Sequence, residues 1–234
     1  MDDIKMHVIA RIQNDFKGKF GIPRQSGLVN GMVSTIIFEP EYRVDDALRG
    51  LEDFSHLWII WQFSQAVRPD WSPTVRPPRL GGNKRLGVFA TRSPFRPNEI
   101  GLSSVRIVGL EKTSQHGTVI YVSGADLMDG TPILDIKPYI PYCDCHTDAT
   151  GGFTDSADDF ILQVCISDEL RRQIPENKLE ALVGVLSHDP RPSYQKDSDR
   201  LYGMDFANLN VKFTVAGNTL TVIDIQKNEP QLGL

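Results

Sequence analysis

SSVRIVGLEKTSQHGTVIYVSG (Ser103 to Gly124) is the stretch whose reading decides the fold. Two runs rich in β-branched residues, SSVRIVGL and TVIYVSG, flank a turn at His116 and Gly117, which predicts an antiparallel hairpin. Downstream, PILDIKPY (Pro132 to Tyr139) reads as a further strand. Upstream, RLGVFA (Arg85 to Ala90) reads as a strand, and SHLWIIWQF (Ser55 to Phe63) is apolar enough to lie centrally. MVSTIIF (Met32 to Phe38) is a strand that ends before Pro40, and HVIARI (His7 to Ile12) alternates well enough to be the first. VDDALRGLEDF (Val44 to Phe54) is expected to form a short helix with Val44, Leu48 and Leu51 on one face. Many short strands at close spacing with few helices predict a mainly β, antiparallel barrel or sandwich.

The texture changes near Thr147. TDATGGFTDSADD is small, acidic and glycine-containing, and reads as a loop or linker. Beyond it come a strand (DFILQVCIS), two short helical stretches (DELRRQ and KLEALVGVLS) and a hairpin, VKFTV and TLTVIDI, turning at Ala216 to Asn218. The expected division is residues 1–146 as the larger β domain and 147–234 as a small α/β C-terminal domain.

Composition narrows the class. At 234 residues, 40% hydrophobic and 24% charged, the chain is an ordinary globular protein able to bury a core without crosslinks. No apolar run approaches the roughly 20 residues of a membrane span, and no apolar stretch follows Asp2, Asp3 and Lys5, so a cytoplasmic protein is expected. Cys143, Cys145 and Cys165 are too few and too unevenly placed for a disulfide scaffold. Cys143, Cys145 and His146 lack the second ligand pair of a zinc site, so no metal is expected. Net charge is −5, but its distribution is uneven. From Arg68 to Asn98 there are seven basic residues (Arg68, Arg76, Arg79, Lys84, Arg85, Arg92, Arg96) and a single acid, Asp70, which suits a polyanion.

Neither GxGxxG nor GxxxxGK[ST] is present, which disfavours a Rossmann or P-loop cofactor site. The chemistry concentrates in TRSPFRPN (Thr91 to Asn98). Pro94 and Pro97 stiffen the backbone around Arg92 and Arg96, whose guanidinium groups suit carboxylate or phosphate. Phe95 between them can stack on a base, and Gly101 permits a close approach. Three polar clusters accompany it: IPRQ (Ile22 to Gln25), DLMDGTP (Asp126 to Pro132), and DPRPSY (Asp189 to Tyr194) followed by YGMD (Tyr202 to Asp205). Taken singly, each is as readily a turn as a site.

Together they resemble the TsaA-like, or TrmO, family of tRNA methyltransferases. The resemblance rests on PRQ (Pro23 to Gln25), FSHLWI (Phe54 to Ile59), RPPRLGG (Arg76 to Gly82), RLGVFATRSPFRPN (Arg85 to Asn98), IGLSSVRI (Ile100 to Ile107), DGTPILDIKPY (Asp129 to Tyr139) and DPRPSY. It implies an antiparallel β-barrel that binds S-adenosylmethionine without a Rossmann sheet, a small α/β C-terminal domain contacting tRNA, and a homodimer with the cofactor near its interface. The implied activity is N6-methylation of threonylcarbamoyladenosine just 3′ of the anticodon. Implied cofactor contacts are Pro23, Arg24, Gln25, Ser64, Gln65, Arg92, Leu102 and the turn Asp126, Leu127, Met128 and Asp129. Ser64 stands where the family often has histidine, and Glu99 where a further proline is common. Asp189, Arg191 and Tyr194 are implied tRNA or substrate contacts. Asp189 and Tyr194 are also the candidate general bases, if the C-terminal domain folds over the barrel. Arg92, Arg96 or Arg191 could take the threonyl carboxylate, and Arg76 and Arg79 belong to the RNA path. Two other classes fit the same loop: a non-catalytic adaptor binding cofactor and RNA, and a methyltransferase for another RNA or a small molecule.

Overall fold

The structure is a computed structural model and describes residues 4–29, 31–68, 70–77, 84–155, 161–191, 197–198 and 200–228. Its first layer is β1 (Ala10–Gln13), β2 (Val33–Phe38), β3 (His56–Gln62), the two-residue strands β4 (Thr74–Val75) and β5 (Leu86–Gly87), β6 (Ile100–Thr113), β7 (Gly117–Ser123) and β8 (Pro132–Pro138). Apart from β4 and β5, these strands pair antiparallel in the order β1-β2-β7-β6-β3-β8, and β8 pairs back onto β1. Antiparallel, mainly β architecture is thus what the alternating pattern encodes. In β3, Leu57, Ile59 and Trp61 point inward between two neighbours, which explains its nearly continuous apolar sequence. The β6–β7 hairpin forms as its sequence predicts, with a bulge between Ile107 and Gly109.

Two local expectations are corrected. Residues 44–54 are not a helix but two single 3-10 turns, Asp45–Leu48 and Leu51–Asp53, separated by Gly50 at φ 86°. Left-handed backbone there stops the i→i−4 ladder. RLGVFA pairs over only Leu86–Gly87, against Thr74–Val75, and then turns at Val88–Ala90.

A short helix α1 (Pro141–Asp144) follows β8, where Asp144 accepts from Trp58 of β3; the second layer holds β9 (Gln163–Cys165), α2 (Asp168–Arg171), α3 (Glu176–Ser187), β10 (Tyr202–Phe206), β11 (Leu209–Ala216) and β12 (Thr219–Lys227). The sheet order is β10-β11-β12-β9, with β9 parallel to β12. YGMD, read from sequence as part of a polar cluster, is most of β10: Tyr202, Met204 and Phe206 alternate inward and Gly203 and Asp205 outward. The β10–β11 turn uses Ala207 and Asn208, both at positive φ, as the twist of a two-residue hairpin requires. Along α3, Ala181, Leu182, Val185 and Leu186 form the buried stripe.

The segment between β1 and β2 is an integral part of the second layer's core. Phe16, Val29 and Met32 are buried in one cluster with α3 and the β10–β12 sheet. Phe16 meets Phe206 edge-on at 5.5 Å and Phe20 stacks on Phe213 at 6.5 Å. Gly21, at φ 93°, lies so close to Met204 that a Cβ would stand 2.2 Å from its Sδ. Lys178 of α3 pairs with Asp15 at the start of this segment.

Candidate functional site

Asp126 is the node of the site. It follows β7 and sits where three elements meet. Its Oδ1 accepts from the Ser103 hydroxyl at 2.5 Å. Ser103 in turn accepts from Trp61 Nε1 at 3.0 Å. Gly101 makes this possible, because a Cβ there would lie 2.3 Å from the Trp61 ring. Thus β3 supplies the indole, β6 the hydroxyl and the bare glycine, and the β7–β8 connection the carboxylate. Burial pushes the Asp126 carboxyl above its usual range; Ser103, backbone N–H donors including that of Ser26, and the positive charge of Arg92 oppose the shift.

Arg92 joins this node to the PRQ segment. Its Nη1 donates to Gln25 Oε1 at 2.6 Å. Gln25 Nε2 donates to the Arg24 carbonyl at 2.6 Å, which fixes the amide's orientation. Arg24 then donates from Nη2 to the carbonyls of Asp189 and Arg191, both at 3.2 Å. Pro23 is buried beneath them. Three clusters far apart in sequence, PRQ, TRSPFRPN and DPR, therefore meet through three of these hydrogen bonds, with the fourth inside PRQ.

Asp189, at φ 48°, accepts Arg191 Nε at 2.8 Å on Oδ1 and Nη2 at 3.0 Å on Oδ2. These hydrogen bonds raise Arg191 further above its usual value. With both oxygens engaged, Asp189 orients Arg191. Tyr194 and Arg79 lie outside the described residues.

The other expected positions divide by role. Leu102 points away from the barrel core and is 51% exposed, an apolar side chain open to a ligand. Ser64 and Gln65 form the exposed turn after β3, and the Gln65 carbonyl accepts from Lys19 Nζ at 2.8 Å. Leu127 is fully buried, so only its backbone can serve a ligand; its carbonyl already accepts from Asn14 Nδ2. Met128 opens a turn closed by Thr131 N–H at 3.1 Å, with Gly130 at φ 75° in the third position. Asp129 in that turn is held by Lys17 and by the Asn14 N–H, which makes it a brace. Arg96 spends Nη1 on the carbonyls of Val88 and Thr91, shaping its own loop. Phe95 carries the Arg68 guanidinium 3.6 Å from its ring centroid. Arg76 is exposed beside β4. Ser103 and Trp61 were not singled out by sequence; the available signal was a serine at an inward-facing position of an otherwise apolar strand face.

The donor set fits S-adenosylmethionine. A half-exposed guanidinium suits an amino-acid carboxylate, a desolvated carboxylate suits an ammonium or ribose hydroxyls, and Leu102 suits the face of a purine. Among the described residues no group of three His, Cys, Asp or Glu side chains could hold a metal ion, and Cys143 and Cys145 are exposed free thiols.

Comparison with known proteins identifies the family. Residues 11–145 match the tRNA-methyltransferase O N-terminal domain and residues 160–228 the TrmO C-terminal domain. The chain is 40% identical over 225 residues to a tRNA (adenine(37)-N6)-methyltransferase of Escherichia coli K12, covering 92% of this chain and 94% of that one. It is 43% identical over 211 residues to a putative S-adenosylmethionine-dependent methyltransferase of Pseudomonas aeruginosa, covering 87% and 89%. The crystal structure of TrmO from P. aeruginosa superposes with a TM-score of 0.80 at 35% identity, covering 97% of this chain and 99% of that one. Along nearly its whole length, the chain belongs to the tRNA-methyltransferase O family.

Proposed function

We propose that this chain is an S-adenosylmethionine-dependent methyltransferase that methylates N6 of the adenosine 3′ of the tRNA anticodon, with threonylcarbamoyladenosine as the modified base it reads. The observation that carries this reading is the convergence of Gln25, Arg92 and Asp126, in a chain so similar to the E. coli enzyme.

When bound, the cofactor supplies an electrophilic methyl group on a sulfonium. The protein's part is alignment and exclusion of water. Arg92, oriented by Gln25, pairs with the cofactor's carboxylate. Asp126, held by Ser103, takes its ammonium or ribose hydroxyls. Leu102 covers the purine, and the Ser64–Gln65 turn and the Met128–Asp129 backbone close the edge. On the other side of the PRQ strut, Arg191 offers guanidinium N–H groups to the threonyl carboxylate while Asp189 fixes its fork. The acceptor nitrogen lies between a purine and a carbonyl, so its proton must leave. Asp189 can take it only by giving up Arg191, and Tyr194 is the other candidate.

The six-stranded ring carries the cofactor site and residues 147–234 the tRNA contacts. The working form is a homodimer in the cytoplasm, with the second copy completing the cofactor site. No helix among the described residues is long and apolar enough to cross a membrane.

Incubation with labelled S-adenosylmethionine and tRNA either carrying or lacking the threonylcarbamoyl group tests the proposal. Label should enter only the modified tRNA. Transfer to neither, with cofactor binding intact, replaces the enzyme by an adaptor; transfer to both means the modification is not read.

A further inference from the structure

Two large aromatic side chains stand out of the surface at a place no cofactor contact occupies. Trp71 is 50% exposed and Phe89 is 71% exposed, with ring centroids 6.1 Å apart and planes 30° from parallel. Their placement is built. Thr74–Val75 pairs with Leu86–Gly87, and Val88 N–H donates to the Pro73 carbonyl at 2.9 Å. Val88 is buried as the anchor of the 3-10 turn that throws Phe89 outward. The Arg96 guanidinium lies 5.6 Å from the Phe89 centroid. Beside Trp71 opens a cleft of about 140 Å³, lined among others by Arg68, Asp70, Phe95, Arg96 and Glu99.

We propose that Trp71 and Phe89, with this cleft, are a stacking platform for an unpaired nucleobase of the tRNA, next to but separate from the base that is methylated. The inference rests on the tRNA reading above. A hydrophobic protein partner would want an apolar wall. This cleft instead offers aromatic faces for a base, carboxylates able to accept from an exocyclic amine, and guanidinium groups for a phosphate. Arg76, directly after β4, and Lys84 and Arg85, directly before β5, are exposed on the same ribbon and suit a polyanion. The cleft also adjoins the cofactor side: the Glu99 carbonyl accepts from Phe63 N–H, directly before Ser64, and the Thr91 carbonyl accepts from Arg96, directly before Arg92.

The test is binding of tRNA carrying the threonylcarbamoyl group to the full chain, followed by tryptophan fluorescence and by filter retention over a range of salt. In Trp71→Ala/Phe89→Ala the Kd should rise at least about fivefold, the usual minimum for loss of one base stack. The slope of log Kd against log salt should not change, because no phosphate contact is lost. S-adenosylmethionine affinity should also stay the same. Trp71→Phe should keep most of the affinity but lose the RNA-dependent quenching that Trp71 provides. An unchanged Kd in the double variant overturns the platform. So does an unchanged Kd accompanied by dissociation into monomers, which would make the pair an interface between copies. Failure of the unaltered chain to bind tRNA removes the enzymatic reading as well, and is thereby distinguished from failure of the platform alone.

Discussion

Ser103→Ala removes one hydroxyl and breaks two hydrogen bonds at once. Ser103 is 1% exposed, accepts from the buried Trp61 indole at 3.0 Å and donates to Asp126 at 2.5 Å. A hydrogen bond to a charged group contributes about 1.5–3 kcal/mol, and a buried donor left without an acceptor costs about 1–3 kcal/mol. The structure cannot readily repair either loss, since Gly101 and the strand pairing fix the indole. The expected destabilisation is therefore about 3 kcal/mol, or a fall in Tm of about 6–12 °C for a chain of this size. The two parts separate by pH. Burial already raises Asp126 above its usual value, and Ser103 opposes that shift. Without the hydroxyl the folded-state value climbs further, so the variant holds its proton more tightly than the parent. At acid pH, with Asp126 protonated in both folded and unfolded chains, only the indole's share of the loss remains. As pH rises through the folded-state values, the carboxylate's share appears and reaches its full size once Asp126 is ionised in both proteins. Urea unfolding followed by far-ultraviolet circular dichroism at several pH values measures this difference. A loss below about 1 kcal/mol, or one that does not grow with pH, would refute the Trp61–Ser103–Asp126 chain as the support of the site.

Other substitutions probe the neighbouring links. Asp126→Asn removes a charge that burial disfavours, so stability at neutral pH should not fall, and its gain over the parent should grow as pH rises through the folded value of Asp126; S-adenosylmethionine affinity should nevertheless drop about tenfold or more in calorimetric titration. Arg92→Lys keeps the charge but loses the planar fork shared with Gln25, and should weaken the cofactor about tenfold while leaving Tm within about 1 °C of the parent. Gly21→Ala combines a positive φ with a Cβ 2.2 Å from Met204 Sδ and should cost about 2 kcal/mol in urea unfolding; the further change Met204→Ala should not restore it, because the backbone strain persists and a buried thioether is lost.

The fold was legible wherever side-chain alternation matched the pleat. The β6–β7 and β11–β12 hairpins and the central β3 follow directly from their apolar pattern. Legibility failed where a local signal was short or ambiguous. VDDALRGLEDF has helical spacing, but Gly50 takes a left-handed conformation and divides it. YGMD looked polar because Gly203 and Asp205 alternate with the inward Tyr202 and Met204, leaving few apolar letters to reveal a strand. The segment after β1 shows little apolar pattern because glycine, lysine and arginine outnumber its phenylalanines; the rings that meet Phe16 and Phe20 are 190 and 193 positions away. The site shows the same division. Rigid Arg–Pro spacing pointed to Arg92 and Arg96 alike; the family resemblance assigned only Arg92 to the cofactor, and the structure gives the physical difference, since Arg96 is turned onto its own loop's carbonyls while Arg92 reaches Gln25. Ser103 could not be read as special, because its partner Asp126 lies across a hairpin.

The position of Pro23 to Gln25 gives that tripeptide a role beyond contact. Arg24 holds the carbonyls of Asp189 and Arg191, and the next residue, Gln25, holds Arg92. A displacement of the tripeptide must disturb both sides together, since the amide of Gln25 is itself tied to the Arg24 carbonyl. What fixes the tripeptide is hydrophobic: Phe16 and Val29 on either side of it are buried against α3 and the β10–β12 sheet. The packing of the second layer therefore sets the alignment of Arg92, the arginine proposed to hold the cofactor. That arrangement suits the proposed transfer reaction, in which donor and acceptor must meet in one geometry and each would be held from a different part of the chain.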